Sequence, residues 1–105
     1  MSEAAIKEIV RRIVARFDPQ KVIVFGSVAR GQTGPDSDVD LLVVMPVHGS
    51  RRKAAIEIDR KLIGIAVPVD VIVVTPEELE RDADQIGTAL RPALREGRVL
   101  YERAA

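Results

Sequence analysis

Three aspartates stand where carboxylates are costly. Asp38 and Asp40 occupy alternate positions at the start of "SDVDLLVV", residues 37 to 44, and Asp70 lies inside "VPVDVIVV", residues 67 to 74. Along an extended strand the side chains of residues i and i+2 project the same way, so Asp38 and Asp40 leave the backbone together. Like charges so placed repel, and a carboxylate set among valines and leucines needs a partner. A divalent cation meets both needs, because Mg2+ takes one or two carboxylates, keeps some water and completes its shell with substrate phosphate oxygens. Asp70 holds the matching place in the next apolar run. If the two runs are neighbouring strands, three carboxylates converge and can hold two metal ions about 3.5–4 Å apart, the arrangement that clamps the attacking and leaving oxygens of an in-line phosphoryl displacement.

Phosphate then needs a cradle. Gly26-Ser27 follows the apolar run Val22 to Phe25 directly. Glycine there lets backbone N–H groups approach an anion, and Ser27 adds a hydroxyl. Arg30 is placed to add charge-assisted contacts to a triphosphate. Each residue also has a plainer reading. Gly26-Ser27 alone is an ordinary strand-ending turn, Asp38 could cap a turn after Pro35-Asp36-Ser37, and Asp70 could pair with an arginine.

The elements that must position these groups can be read along the chain. Ile6, Ile9, Val10, Ile13, Val14 and Phe17 fall at helical spacing, with Ser2 as the N-cap and Asp18-Pro19 as the stop. Val22 to Phe25, Val39 to Val44 and residues 67 to 74 are expected as three strands, all buried and central. A helix is expected from Ser50 to about Leu62. Another should start after Thr75-Pro76-Glu77-Glu78, an N-cap, a proline in the first turn and a reciprocal glutamate. A last helix over residues 88 to 96 should close at Gly97, with "RVLYE", residues 98 to 102, as a short final strand or tail. The helix and strand alternation implies an α/β (α+β) domain, a small mixed β-sheet flanked by helices, with residues 1–105 as a single unit.

Composition narrows the class of function. The chain of 105 residues is 47% apolar and only 3% aromatic, which suits a core of valine, isoleucine, leucine and alanine. Sixteen basic and sixteen acidic side chains cancel, so the broad positive field of a protein held on nucleic acid by phosphate contacts is missing. Cysteine is absent, and no apolar run approaches the ~20 residues of a membrane span. The charged start, Met1 to Lys7, does not read as a signal peptide, and a cytoplasmic protein is the expectation. The single histidine, His48, sits in a loop-like "PVHGS" and cannot build a metal site with other histidines. Tyr101 is expected to pack, with its hydroxyl at the surface.

The ordered set of Gly26-Ser27, ten intervening residues, Asp38-Val39-Asp40 with apolar residues behind it, and a later strand aspartate resembles the nucleotidyltransferase superfamily related to DNA polymerase beta. The fuller string "GSVARG…SDVDLLVV" is similar to its minimal, MntA-like branch, over roughly Val22 to Tyr101. The resemblance implies a polymerase-beta-like nucleotidyltransferase fold. It also implies that Gly26 and Ser27, helped by Arg30, hold the phosphates of a nucleotide, with ATP the expected donor. Asp38, Asp40 and Asp70 would be catalytic and ligate two Mg2+ ions. The reaction would move a nucleoside monophosphate to a hydroxyl and release pyrophosphate. Minimal members act beside a small helical HEPN toxin, and kinship implies an antitoxin that adenylylates a tyrosine of that partner. Two rivals stand beside this reading: a module that blocks a toxin by contact without catalysis, and a transferase acting on RNA ends or a small molecule. The missing helical extension and the lack of a basic, aromatic-rich surface argue against the second.

Overall fold

A computed structural model describes residues 3–25, 39–65, 67–82 and 97–103. Helix α1 spans Glu3–Phe17, followed by β1 (Lys21–Phe25) and β2 (Val39–Val44). Next come α2 (Arg51–Lys61), β3 (Val69–Val74), α3 (Pro76–Asp82) and β4 (Arg98–Glu102). The expected helix over 88–96 lies outside the described residues.

The strands form one mixed sheet in the order β3-β2-β1-β4. β1 pairs antiparallel with β2 and with β4, while β2 and β3 run parallel. A parallel pair cannot be joined by a tight turn, and residues 45–68 supply the crossover with α2 inside it. That crossover brings the two aspartate-bearing strands side by side, pointing the same way.

One face of the sheet carries the main core. Ile6, Ile9 and Ile13 of α1 and Ile58 and Leu62 of the α2 segment pack on Val22, Val24, Val39, Leu41, Val43 and Val73. Burying each such side chain is worth roughly 1.5–3 kcal/mol. The other face holds a smaller cluster of Ile23, Leu42, Val44 and Val74, with Phe25, Ile72 and Leu79 packed against it. Leu79 comes from α3, so the two faces are covered unequally.

The helix boundaries have identifiable chemical causes. Asp18 takes a positive φ of 45° and donates its N–H to the Val14 carbonyl, ending α1 before the buried Pro19. Ser50 Oγ accepts from Lys53 N–H at the start of α2. At α3, Thr75 Oγ1 accepts from Glu78 N–H at 3.1 Å while Glu78 Oε1 accepts from Thr75 N–H at 3.2 Å, the reciprocal box legible in the sequence. One expectation is corrected: the third strand begins at Val69, after Pro68, and among the described residues it is an edge strand whose first four residues are partly covered or, at Asp70, exposed. Of the two alternatives for the final segment, residues 98 to 102 form the short strand, at the opposite edge of the described sheet.

Candidate active site

Strand register, not sequence proximity, assembles the site. Across the parallel pair Val39 faces Val69, Asp40 faces Asp70 and Leu41 faces Val71. On its other side Asp40 is the register partner of Phe25, the last residue of β1. The C-terminal end of β1 and the N-terminal ends of β2 and β3 therefore meet at one end of the sheet. β1 ends at Phe25, beside Asp40.

Alternation fixes the face. Leu42 and Val44, two and four residues beyond Asp40, belong to the smaller cluster, as do Ile72 and Val74 beyond Asp70. Asp40 and Asp70 thus share the face opposite α1 and α2. Neighbouring strands lie about 4.8 Å apart, so two carboxylates in register are close neighbours. Asp40 is half-buried and Asp70 is exposed, so the pair grades from the sheet interior to the open edge.

A third carboxylate, Asp59 on α2, escaped sequence reasoning. Its carboxyl is pushed above the ordinary aspartate range, first by partial burial and then by the negative charge of Asp70. Nothing in its helical neighbourhood, "IEIDRK", points to β3. Only the packing of α2 on β3 brings the two charges within range.

Of the residues singled out by sequence, Asp40 and Asp70 are brought together. Gly26, Ser27, Arg30 and Asp38 lie outside the described residues. Among the described residues no group of three or more histidine, cysteine, aspartate or glutamate side chains is gathered for a metal ion. His48 is an exposed loop residue, and Tyr101 is half-buried against the main core. The cationic turn Arg51-Arg52-Lys53 is partly explained within the chain. Arg51 pairs with Glu78 at 2.5 Å, tying the start of α2 to the cap of α3. Glu78 sits below the ordinary glutamate range because Thr75 N–H and hydroxyl donate to it and Arg51 adds its charge, and these outweigh the opposing cost of partial burial.

A family model for the nucleotidyltransferase domain matches residues 5–101, nearly the whole chain. The chain belongs to this family. The nucleotidyltransferase is 34% identical over 102 residues to a Methanocaldococcus jannaschii protein named "Putative protein adenylyltransferase MJ0604", covering 94% of this chain and 97% of that protein. A crystal structure described as a nucleotidyltransferase from Sulfolobus solfataricus superposes with a TM-score of 0.66 at 25% identity, over 95% of this chain and 79% of that one. A toxin–antitoxin structure with AMP-PNP gives a TM-score of 0.66 at 22% identity, over 98% of this chain and 75% of that one. A mutant of the MntA-HpeT toxin–antitoxin pair gives 0.62 at 17% identity. The last two similarities speak for the fold. The mixed sheet with its flanking helices is thus the nucleotidyltransferase fold, and the nucleotidyltransferase is an enzyme that transfers a nucleotide. Among the described residues no helix is long and apolar enough to cross a membrane.

Proposed function

We propose that this nucleotidyltransferase moves AMP from ATP to a hydroxyl on a partner protein, a tyrosine of a small helical HEPN toxin, and so acts as an antitoxin. One observation carries the catalytic part: Asp40 and Asp70 lie in register on parallel strands, on one face, with Asp40 beside Phe25 at the end of β1. The acceptor rests on kinship with a protein named as a protein adenylyltransferase and with toxin–antitoxin structures, one of them holding AMP-PNP.

The donor set suits Mg2+. Oxygen ligands on a rigid sheet match a hard cation. Asp38, Asp40 and Asp70 would be the ligands. Two Mg2+ ions held there would supply charge neutralisation of the triphosphate and of the departing pyrophosphate.

The chain's own residues do the rest. Gly26 and Ser27 present backbone N–H groups and a hydroxyl to the phosphates, and Arg30 adds a cationic contact. Asp40, half-buried and fixed between two strands, anchors the donor side. Asp70, exposed on the edge strand, faces the acceptor and takes the proton from the attacking hydroxyl. The acceptor oxygen forms a bond to the α-phosphorus as the bond to the bridging oxygen breaks, and pyrophosphate leaves.

The test is label transfer from α-labelled ATP to the product of the neighbouring gene, with Mg2+ and with EDTA. Labelled partner whose mass rises by one or more AMP units, dependent on Mg2+ and lost in Asp40→Asn, is the expected result. Inhibition of the partner with no mass change would mean a binding module instead.

A further inference from the structure

Between α1 and β4 runs an open groove of about 480 Å³. Helix geometry writes two rows along its α1 wall. Residues four apart on a helix lie one above the other, so Ile6, Val10 and Val14 form an apolar row and Lys7 and Arg11 form a basic row beside it. Leu100 and Tyr101 of β4 make the facing wall. Ile6 belongs to the main core, and Val10, Leu100 and Tyr101 pack on it, which fixes the groove's shape before anything enters. Arg98 is the register partner of Val24, a main-core residue, so it stands on the groove's face of the sheet.

The lining holds three cations, Lys7, Arg11 and Arg98, and no carboxylate. Arg11 is already shared with Glu8, at 2.5 and 2.9 Å. Lys7 and Arg98 are exposed and have no ion-pair partner among the described residues. An apolar trough bordered by uncommitted cations selects its occupant: apolar side chains to fill it and carboxylates to meet its rim. Nucleic acid fits poorly, since the trough offers a single aromatic ring, Tyr101, for bases to stack on. A small amphipathic acid would use one end only of rows that extend over two turns of α1, about 12 Å. A second helix uses all of them, because its own side chains repeat at the same three- and four-residue spacing.

We infer that this groove is a docking surface for an amphipathic helix of a partner protein, its apolar stripe against Ile6, Val10 and Val14 and its acidic row against Lys7, Arg11 and Arg98. Binding of a helix in a groove takes apolar anchors every three or four residues, and the flanking charges set its orientation. Asp40 and Asp70 stand on the opposite face of the sheet, so a docked helix leaves them open. The inference does not depend on the reaction proposed above.

Fluorescence anisotropy of the full chain with a labelled helical peptide tests it. The peptide carries leucines every three or four residues beside a row of glutamates four apart. Saturable binding that weakens with salt is expected. Lys7→Glu and Arg98→Glu should each raise the dissociation constant about fivefold or more, and both positions are exposed, so the fold is undisturbed. A peptide with lysine in place of glutamate should bind the wild type about tenfold more weakly or worse, and the double variant Lys7→Glu/Arg98→Glu should prefer it. Val14→Asp should abolish binding of the glutamate peptide with an unchanged circular dichroism spectrum. No binding to the wild type, equal affinity for the two peptides, or indifference to the variants would overturn the inference. So would displacement of the peptide by oleate or single-stranded RNA that binds more tightly, since either makes the groove a site for another class of ligand.

Discussion

Replacing Asp70 by asparagine separates its charge from its shape, and the structure sets the size of the effect. Asp70 and Asp40 are register partners on adjacent strands. Two unit charges about 5 Å apart repel by roughly 0.8 kcal/mol in water and by about 3 kcal/mol at an effective dielectric constant of 20. Asp70 is exposed and Asp40 half-buried, so a value near 1 kcal/mol is the reasonable choice. Asp70→Asn should therefore stabilise the metal-free chain and raise its melting temperature by about 4–8 °C. Adding Mg2+ and ATP should raise the wild type's melting temperature and lift the variant less, since one metal ligand is gone. Single-turnover transfer should fall about a hundredfold or more, the scale for losing a positioned base, while nucleotide affinity stays within a few-fold of wild type. Melting curves, nucleotide titration and transfer on the same preparation make the test. A metal-free variant that melts lower than wild type would mean that Asp70 has a stabilising partner, not a repelling one. Normal transfer would remove Asp70 from the site altogether.

Asp40→Asn should behave differently from Asp70→Asn, losing nucleotide-dependent stabilisation and transfer together, as isothermal titration and the labelling assay would show. Asp59→Asn should raise the melting temperature at pH 7 but not near pH 3: its carboxyl is shifted upward, so the fold is penalised once that group ionises and not while it is protonated. Glu8 is held down at about 2 by Arg11 and Arg12, and Glu78 is also lowered, so their contributions are fully present above about pH 4.5 and are lost as pH falls through the folded-state values. The acid limb of stability should accordingly shift to higher pH in Glu8→Gln and Glu78→Gln, read by melting between pH 2 and 5. Thr75→Ala should cost about 1 kcal/mol in urea unfolding through loss of the helix cap. Arg51→Glu should cost up to about 1 kcal/mol, less in high salt, because its guanidinium is 56% exposed.

Local chemistry was legible wherever a residue's partner lies within a few positions. The period of α1, the cap at Ser50, the box of Thr75 and Glu78, and the strand Val39–Val44 all follow from spacing and side-chain type, and each appears where spacing puts it. The family was legible too, because its signature is an ordered string of glycine, serine and aspartates. The sequence could also say that Asp40 and Asp70 each need a partner. It could not say that they face each other, since that depends on a crossover that sets β2 and β3 parallel and in register. The same limit explains the rank of β3: eight consecutive residues, Val67 to Val74, look buried, yet strand order leaves this one at the edge of the described sheet. Nothing in the sequence pairs Arg51 with Glu78, 27 residues on; tertiary packing sets the two together. Asp59 gave no signal at all. Its shift comes first from desolvation and then from a charge eleven residues away in sequence, and both depend on packing across elements that a linear pattern cannot encode.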